Sequence, residues 1–340
     1  MEIQPMKLSV LDQSPVIHGH TAADAIAATI DLAQMADELG YTRYWCAEHH
    51  GMFGLANPCP EVLLARLGSV TRNIRLGSGG VMLPYYSAFK VLEQFMMLEA
   101  MFPGRIDLGI GRAPGGDGRT ARVVAHGRYD PDSFPAQVAD LIALASGHLP
   151  ERHPAHGVLL QPAVQTCPQL WMLGSSDFGG ALAAQLGMRF AFAHFISARG
   201  GDEIARGYRA QFRSGHHDAP YCAVALFVIC AETEAQADAL AAAVDLRRVL
   251  MAYGLNEPIP TIEQAQSWQP DEHARAVIAH ERPRSIIGTP ERVAERVQHL
   301  KAQFEADEVI VLTVAASYRA RQRSYELLAE VFEPSNAALA

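Results

Sequence analysis

Short runs of apolar residues alternate with longer stretches of helical periodicity along this chain, as expected of successive strand–helix units around a parallel sheet. Eight segments read as strands. Four lie in the first half, at 7–12 (KLSVLD), 43–48 (RYWCAE), 74–82 (IRLGSGGVM) and 105–110 (RIDLGI). Four follow, at 169–174 (QLWMLG), 189–195 (RFAFAHF), 223–230 (AVALFVIC) and 308–314 (EVIVLTV). Amphipathic patterns predict helices over 22–39, 59–71, 88–101, 134–146, 178–186, 232–252 and 290–304. The reading is an α/β fold: a closed (β/α)8 TIM barrel with insertion loops, as one domain over 1–340. Two segments break the repeat, 113–133, rich in Gly, Asp and Arg, and 254–285, punctuated by prolines and without a strong period. Both are predicted as long functional loops.

Composition narrows the function classes. The chain is 49% hydrophobic and 19% charged, enough apolar surface for a large core. Net charge is −9 with no Lys/Arg run, which excludes the basic stripe that nucleic acid or anionic membrane requires and leaves small molecules and protein partners. Cys46, Cys59, Cys167, Cys222 and Cys230 are scattered and form no CxxC pair, so neither a disulfide framework nor a zinc knuckle is expected. A cytoplasmic location is expected, with no signal peptide and no membrane span.

Barrel enzymes build their sites at the carboxyl ends of the strands, so polar residues just after each predicted strand are the candidates. They are Asp12-Gln13-Ser14, Glu48-His49-His50, Gly77 to Gly80, Gly111-Arg112, Gly174-Ser175-Ser176 and His194. Imidazole is suited to proton transfer near neutral pH, but neighbours on a strand point opposite ways, so at most one of His49 and His50 faces the mouth. Either is also readable as a structural histidine. His18 and His20 have an HxH spacing, yet strand eight ends in Thr313 and Ala315 where a metal hydrolase barrel needs Asp, so no metal is expected. Glycines weaken a strand unless the chain bends or a ligand approaches, so Gly79 and Gly80 mark either a bulge or a platform. The turn Gly174-Ser175-Ser176-Asp177-Phe178-Gly179 runs from strand to helix, where it either binds phosphate or merely caps the helix. Arg112 is placed to add a bidentate contact from the side. Phe53, Met82, Tyr86, His194 and Phe195 are taken as substrate lining, which favours a hydrophobic or aromatic substrate.

Taken in order, VLDQSP (10–15), LGYTRYWCAEHHG (39–51), IRLGSGGVMLP (74–84), FPGRIDLGIGRAPG (102–115), LWMLGSSDFGGALAAQLG (170–187) and IIGTPERVAERV (286–297) resemble the bacterial luciferase-like flavin-dependent monooxygenases through nearly the whole chain. The resemblance implies that His49 is the proton-transfer histidine and that a cis Gly79–Gly80 peptide supports the flavin ring. It implies that Arg112 holds the FMN phosphate, with Gly174, Ser175, Ser176 and Gly179 forming the cradle. Luciferase proper carries a reactive cysteine where this chain has Gly111, which speaks against light emission. Segment 254–285 falls where the family carries a mobile lid. The implied chemistry is reaction of reduced FMN with O2 to a C4a-hydroperoxyflavin, which oxygenates a small, hydrophobic organic substrate while water is excluded. The chain lacks a GxGxxG fingerprint, so a separate flavin reductase is expected to supply the reduced FMN. A homodimer is expected. Two alternatives remain open: a deazaflavin (F420)-dependent dehydrogenase of the same superfamily, and a non-catalytic flavin-binding protein.

Overall fold

A computed structural model describes residues 4–334. Ten strands lie in chain order: β1 (Leu8–Asp12), β2 (Arg43–Cys46), β3 (Arg75–Ser78), β4 (Val81–Met82), β5 (Ile106–Gly111), β6 (Gln169–Gly174), β7 (Arg189–Ala193), β8 (Cys222–Cys230), β9 (Ser285–Gly288) and β10 (Glu308–Leu312). Every ladder between them is parallel, and β10 pairs with both β1 and β8, so the sheet closes. The result is a TIM barrel of eight staves, one of them shared by β3 and β4. β9 extends the sheet beside the upper half of β8, where Phe227 to Cys230 meet Ser285 to Gly288.

Both faces of each stave are buried, which is why the strands read as continuous apolar runs instead of alternating ones. Leu8, Val10, Tyr44, Cys46, Ile106, Leu108, Phe190 and Val224 pack outward against the helices. Leu11, Trp45, Trp171, Ala191, Ala225, Ile310 and Leu312 fill the barrel interior, with Trp45 and Trp171 edge to face at 5.1 Å. Below them lies a buried charge network. Arg43 donates to Glu308 and Asp107 at 2.6 Å each, and Arg75 closes on Asp107 at 2.7 Å.

The structure departs from the sequence reading in several places, three of them near the barrel mouth. The predicted strand 74–82 is broken in two at Gly79–Gly80, whose peptide bond is cis, as the resemblance implies. Protein neighbours already demand glycine there: a Cβ on Gly79 would lie 2.5 Å from Leu11 Cδ1, and one on Gly80 would lie 2.8 Å from the Gly109 carbonyl oxygen. Segment 254–285 is not a loop but carries helices Ile262–Ser267 and Glu272–Glu281, started by a Thr261/Gln264 capping box and by the Asp271 carboxylate. Likewise 113–133 contains helix Gly118–Val124, capped by Asp117, and the 3-10 helix Pro131–Ser133. These helices are too short to show a period, so their caps are the better signal. Among the described residues, no helix is long and apolar enough to cross a membrane.

Candidate active site

A cavity of about 640 Å³ opens at the carboxyl ends of the strands. Gln13 after β1, His49 after β2, Gly115 and Gly116 after β5, and Phe195 after β7 contribute to its wall, together with Phe227 of β8 and Leu312 and Val314 at β10. Helix Glu234–Ala252 adds Val244, Arg247, Arg248 and Met251, and the segment following it adds Gly254, Leu255, Asn256 and Ile259. That segment is stitched to the loop after β1, because Ile259 N–H donates to Val16 O at 2.8 Å and His18 N–H donates back to Ile259 O at 2.8 Å.

The two histidines separate as strand alternation requires. His50 turns outward, its Nε2 lying 2.7 Å from Glu48 Oε1. Glu48 is buried and also accepts from Tyr86 Oη at 2.8 Å and from the Met82 amide at 3.0 Å, so it latches the chain after β4. His49 continues the inward parity of Arg43, Trp45 and Ala47 and reaches the cavity. Burial, the neighbouring His50 and the positive charge of Arg247 push its imidazole down from 6.5 to about 4. It is therefore neutral across the physiological range, and its Nδ1 is buried without a hydrogen-bond partner.

At the end of β6 the chain enters helix Asp177–Leu186 through Ser176, an extended N-cap residue whose side chain makes no capping hydrogen bond. The positive helix terminus is thus left uncapped by that hydroxyl. Gly174 and Gly179 sit glycine against glycine: a Cβ on Gly179 would lie 3.4 Å from Gly174 Cα. Arg112 is exposed and places its guanidinium 4.2 Å from the centre of the Phe178 ring, on the first turn of the same helix. Arg112, the serine turn and the cis peptide thus lie outside the set of residues lining the 640 Å³ cavity, whereas His49 lies within it.

Of the residues expected to line the substrate space, Phe195 does so. The other four are placed elsewhere. Phe53 is 81% exposed. Met82 packs against Tyr85, Ala121 and Ala125, and Tyr86 serves Glu48. His194 is buried with its ring edge to face against Phe304, 5.9 Å away, on the helix side of β7. Next to an inward Ala193 the pleat turns position 194 outward, which a strand drawn through 189–195 does not decide. Arg247, Arg248 and Asn256 also line the cavity, on helix Glu234–Ala252 and the segment after it, away from the strand ends that marked the other candidates. The signal available was charge inside an apolar helical run, in VDLRRVLMA. Asp12 is structural: it accepts from Arg321 and from the Ser14 amide at 2.6 Å each, and from Tyr44. Among the described residues, no group of three or more His, Cys, Asp or Glu is placed to hold a metal ion.

A closed parallel barrel with a cavity at the carboxyl ends of its strands is the architecture of the TIM-barrel class. The family follows from direct comparison. A model of the luciferase-like monooxygenase family matches residues 6–307, and the chain belongs to that family. It is a monooxygenase, the activity for which the family and two of its full-length relatives are named. N-acetyl-S-alkylcysteine monooxygenase of Bacillus subtilis (strain 168) is 36% identical over 330 residues, covering 96% of this chain and 98% of its own. Luciferase-like monooxygenase of Escherichia coli (strain K12) is 35% identical over 337 residues, 98% and 99% of the two chains. The crystal structure of apo-MsnO8 superposes with a TM-score of 0.89 at 36% identity, covering 97% of this chain and 99% of that one. The fold is shared more distantly with an FMN complex of the oxygenating constituent of 3,6-diketocamphane monooxygenase, at 16% identity and a TM-score of 0.72. An F420-dependent secondary alcohol dehydrogenase shares it at 12% identity and a TM-score of 0.64.

Proposed function

We propose that this monooxygenase uses reduced FMN, delivered by a flavin reductase, and O2 to oxygenate a small organic substrate in the barrel mouth. The observation that carries the reading is the helix terminus at Ser176, uncapped by its own hydroxyl and flanked by the Arg112 guanidinium. A phosphate fits this pairing of a positive helix terminus with an exposed guanidinium, although the Phe178 amide already donates to Asp177 Oδ1 at 2.8 Å. When bound, reduced FMN supplies the electrons that activate O2.

The chain's own residues do the rest. Arg112 and the turn Gly174-Ser175-Ser176 with Gly179 hold the phosphate away from the reacting ring. Gly79 and Gly80, outside the cavity lining, support the flavin ring from the break between β3 and β4. His49, neutral and facing the cavity, accepts a proton at a ring nitrogen during turnover. Met52, Leu55, Phe195, Phe227, Leu312 and Val314 line the cavity with apolar surface that excludes water and receives the hydrophobic part of the substrate. Two copies are expected to meet across helices Pro60–Val70 and Ala88–Met101, where Val62, Met97 and Met101 stand 69%, 54% and 46% exposed around one groove.

The test is O2 uptake by the purified protein supplied with photoreduced FMN, reduced riboflavin or reduced F420. FMN-dependent uptake raised by an organic acceptor, with one oxygen atom from labelled O2 in the product, supports the reading. Hydride transfer from reduced F420 without O2 consumption would replace it with the dehydrogenase reaction, and tight FMN binding without turnover would replace it with a carrier.

A further inference from the structure

Helix Glu234–Ala252 brings two cations into the cavity wall, and one of them, Arg247, sits there under unusual conditions. Arg247 is only 5% exposed. Its Nε–H donates to the Glu257 carbonyl oxygen at 2.8 Å, while Nη1 is buried with no hydrogen-bond partner. Among the described residues, no carboxylate pairs with it within 4.0 Å; the exposed Glu257 carboxylate acts on it only from a distance, and burial outweighs that attraction. The two acids that share the cavity are engaged by other groups. Asp117 accepts from the amides of Arg119 and Thr120 at 2.9 and 2.7 Å, and Glu281 is held by Arg284 and, at 3.9 Å, by Arg248.

Two more polar atoms on the same wall are also unmatched. Asn256 donates its Nδ2–H to Gly51 O at 2.8 Å, which leaves its buried Oδ1 as a free acceptor, and His49 Nδ1 is equally alone. The seating of the guanidinium is specific. A Cβ at Gly54 would lie 2.5 Å from Arg247 Nη2 and 2.7 Å from Glu257 O, so only glycine leaves room for the side chain to cross. A guanidinium taken out of water without a counter-ion is strongly disfavoured unless an anion completes it, and a bidentate oxyanion is the matching geometry.

Building on the monooxygenase reading of this mouth, we propose that Arg247 is the specificity residue for a carboxylate on the organic substrate. Asn256 Oδ1 accepts from an N–H or O–H of the same molecule. The substrate class is thus a small amphipathic acid: its charged end lies against helix Glu234–Ala252 and its apolar end against Phe195, Phe227, Leu312 and Val314. This sharpens the expectation of a plainly hydrophobic substrate, since the apolar wall is real but one corner of it is cationic.

The experiment measures binding without turnover, using hippurate and N-acetylphenylalanine, each beside its methyl ester, by calorimetry on the FMN-loaded protein. At least one acid is expected to bind ten-fold or more tighter than its ester. Arg247→Gln is expected to abolish that preference while FMN affinity stays within a few-fold, and Arg247→Lys to retain part of it. Equal affinity for acid and ester, or no binding by either acid, overturns the proposal. So does an Arg247→Gln protein that loses FMN as severely as it loses the acids, because the anion served would then belong to the cofactor. If Arg247→Gln does not fold by circular dichroism, Asn256→Ala decides, with weakened binding of both acids expected and unchanged binding overturning the Asn256 contact and the pose with it. Failure of FMN to support O2 uptake would sink the oxygenase reaction alone, since the acid-over-ester preference is then read on the FMN-free protein.

Discussion

Glu48 and His50 stand two residues apart at the end of β2, joined carboxylate to imidazole at 2.7 Å, and their pairing on the outer face leaves His49 by itself in the cavity. One strand end thereby separates a latch from a reactive group. Glu48 and His50 fix the chain after β4, while His49 keeps a ring nitrogen free.

His49→Ala is therefore expected to lower turnover by about two to four orders of magnitude, the usual worth of a positioned acid–base group, with reduced-FMN affinity within a few-fold. Because burial holds the His49 imidazole near 4, it is largely neutral above about pH 5, and kcat/KM should show no inflection from His49 between pH 5 and 8. Steady-state kinetics over that range checks both statements. Unchanged turnover in the variant would remove His49 from the chemistry.

Arg112→Ala is expected to weaken FMN by about one to two decades, from the roughly 1.5–3 kcal/mol of a charge-assisted contact. Riboflavin, which has no phosphate, should bind both proteins alike. Fluorescence titration with the two flavins separates a phosphate ligand from a residue that supports the ring, for which both affinities would fall together.

Arg43 neutralises two buried carboxylates at once, Asp107 and Glu308, each accepting at 2.6 Å. Arg43→Met should destabilise the fold by about 3–5 kcal/mol, as expected when one member of a buried ionic network is lost. Adding Glu308→Gln should recover part of this, because Asp107 keeps Arg75 whereas Glu308 would keep only hydroxyl partners, among them Tyr221 at 2.9 Å. Chemical denaturation of the two proteins measures the recovery, and its absence would show that Arg43 acts through packing.

His49, His194 and His217 are each pushed from 6.5 down to about 4, with burial as the largest cause. Between those values the unfolded chain binds protons that the folded chain refuses, so stability should fall as pH drops from about 6.5 toward 4. The melting temperature is expected to follow, and His194→Leu should flatten the slope without touching the cavity. A slope identical to that of the parent would remove His194 from the acid response.

The barrel was legible because parallel strands buried on both faces leave apolar runs that survive local irregularity, as in AVALFVIC of β8. What escaped was whatever depends on three-dimensional convergence. β9 is only four residues long, and its pairing with Phe227 to Cys230 exists only once β8 extends past the barrel rim. Arg247 sits on a helix whose apolar run is interrupted by charge, but whether that charge is paired within 4.0 Å depends on what folds against it, which the run alone does not display. Phe53 and His194 stand outside the cavity wall for related reasons. Strand-end position selects the right end of the barrel, but pleat and loop path decide which side chains turn inward.

The place of β10 between β1 and β8 bears on how this protein is made. Strands emerge from synthesis in chain order, yet the two edges that must meet are separated by more than two hundred residues, and the stave that joins them is the last to appear. Until Glu308–Leu312 arrives, β1 and one edge of β8 present unpaired amides and carbonyls flanked by apolar side chains, the kind of edge that recruits another chain. Until β10 is made, the emerging barrel is an open sheet with adhesive margins, and protection of those margins against self-association rests on Glu308–Leu312.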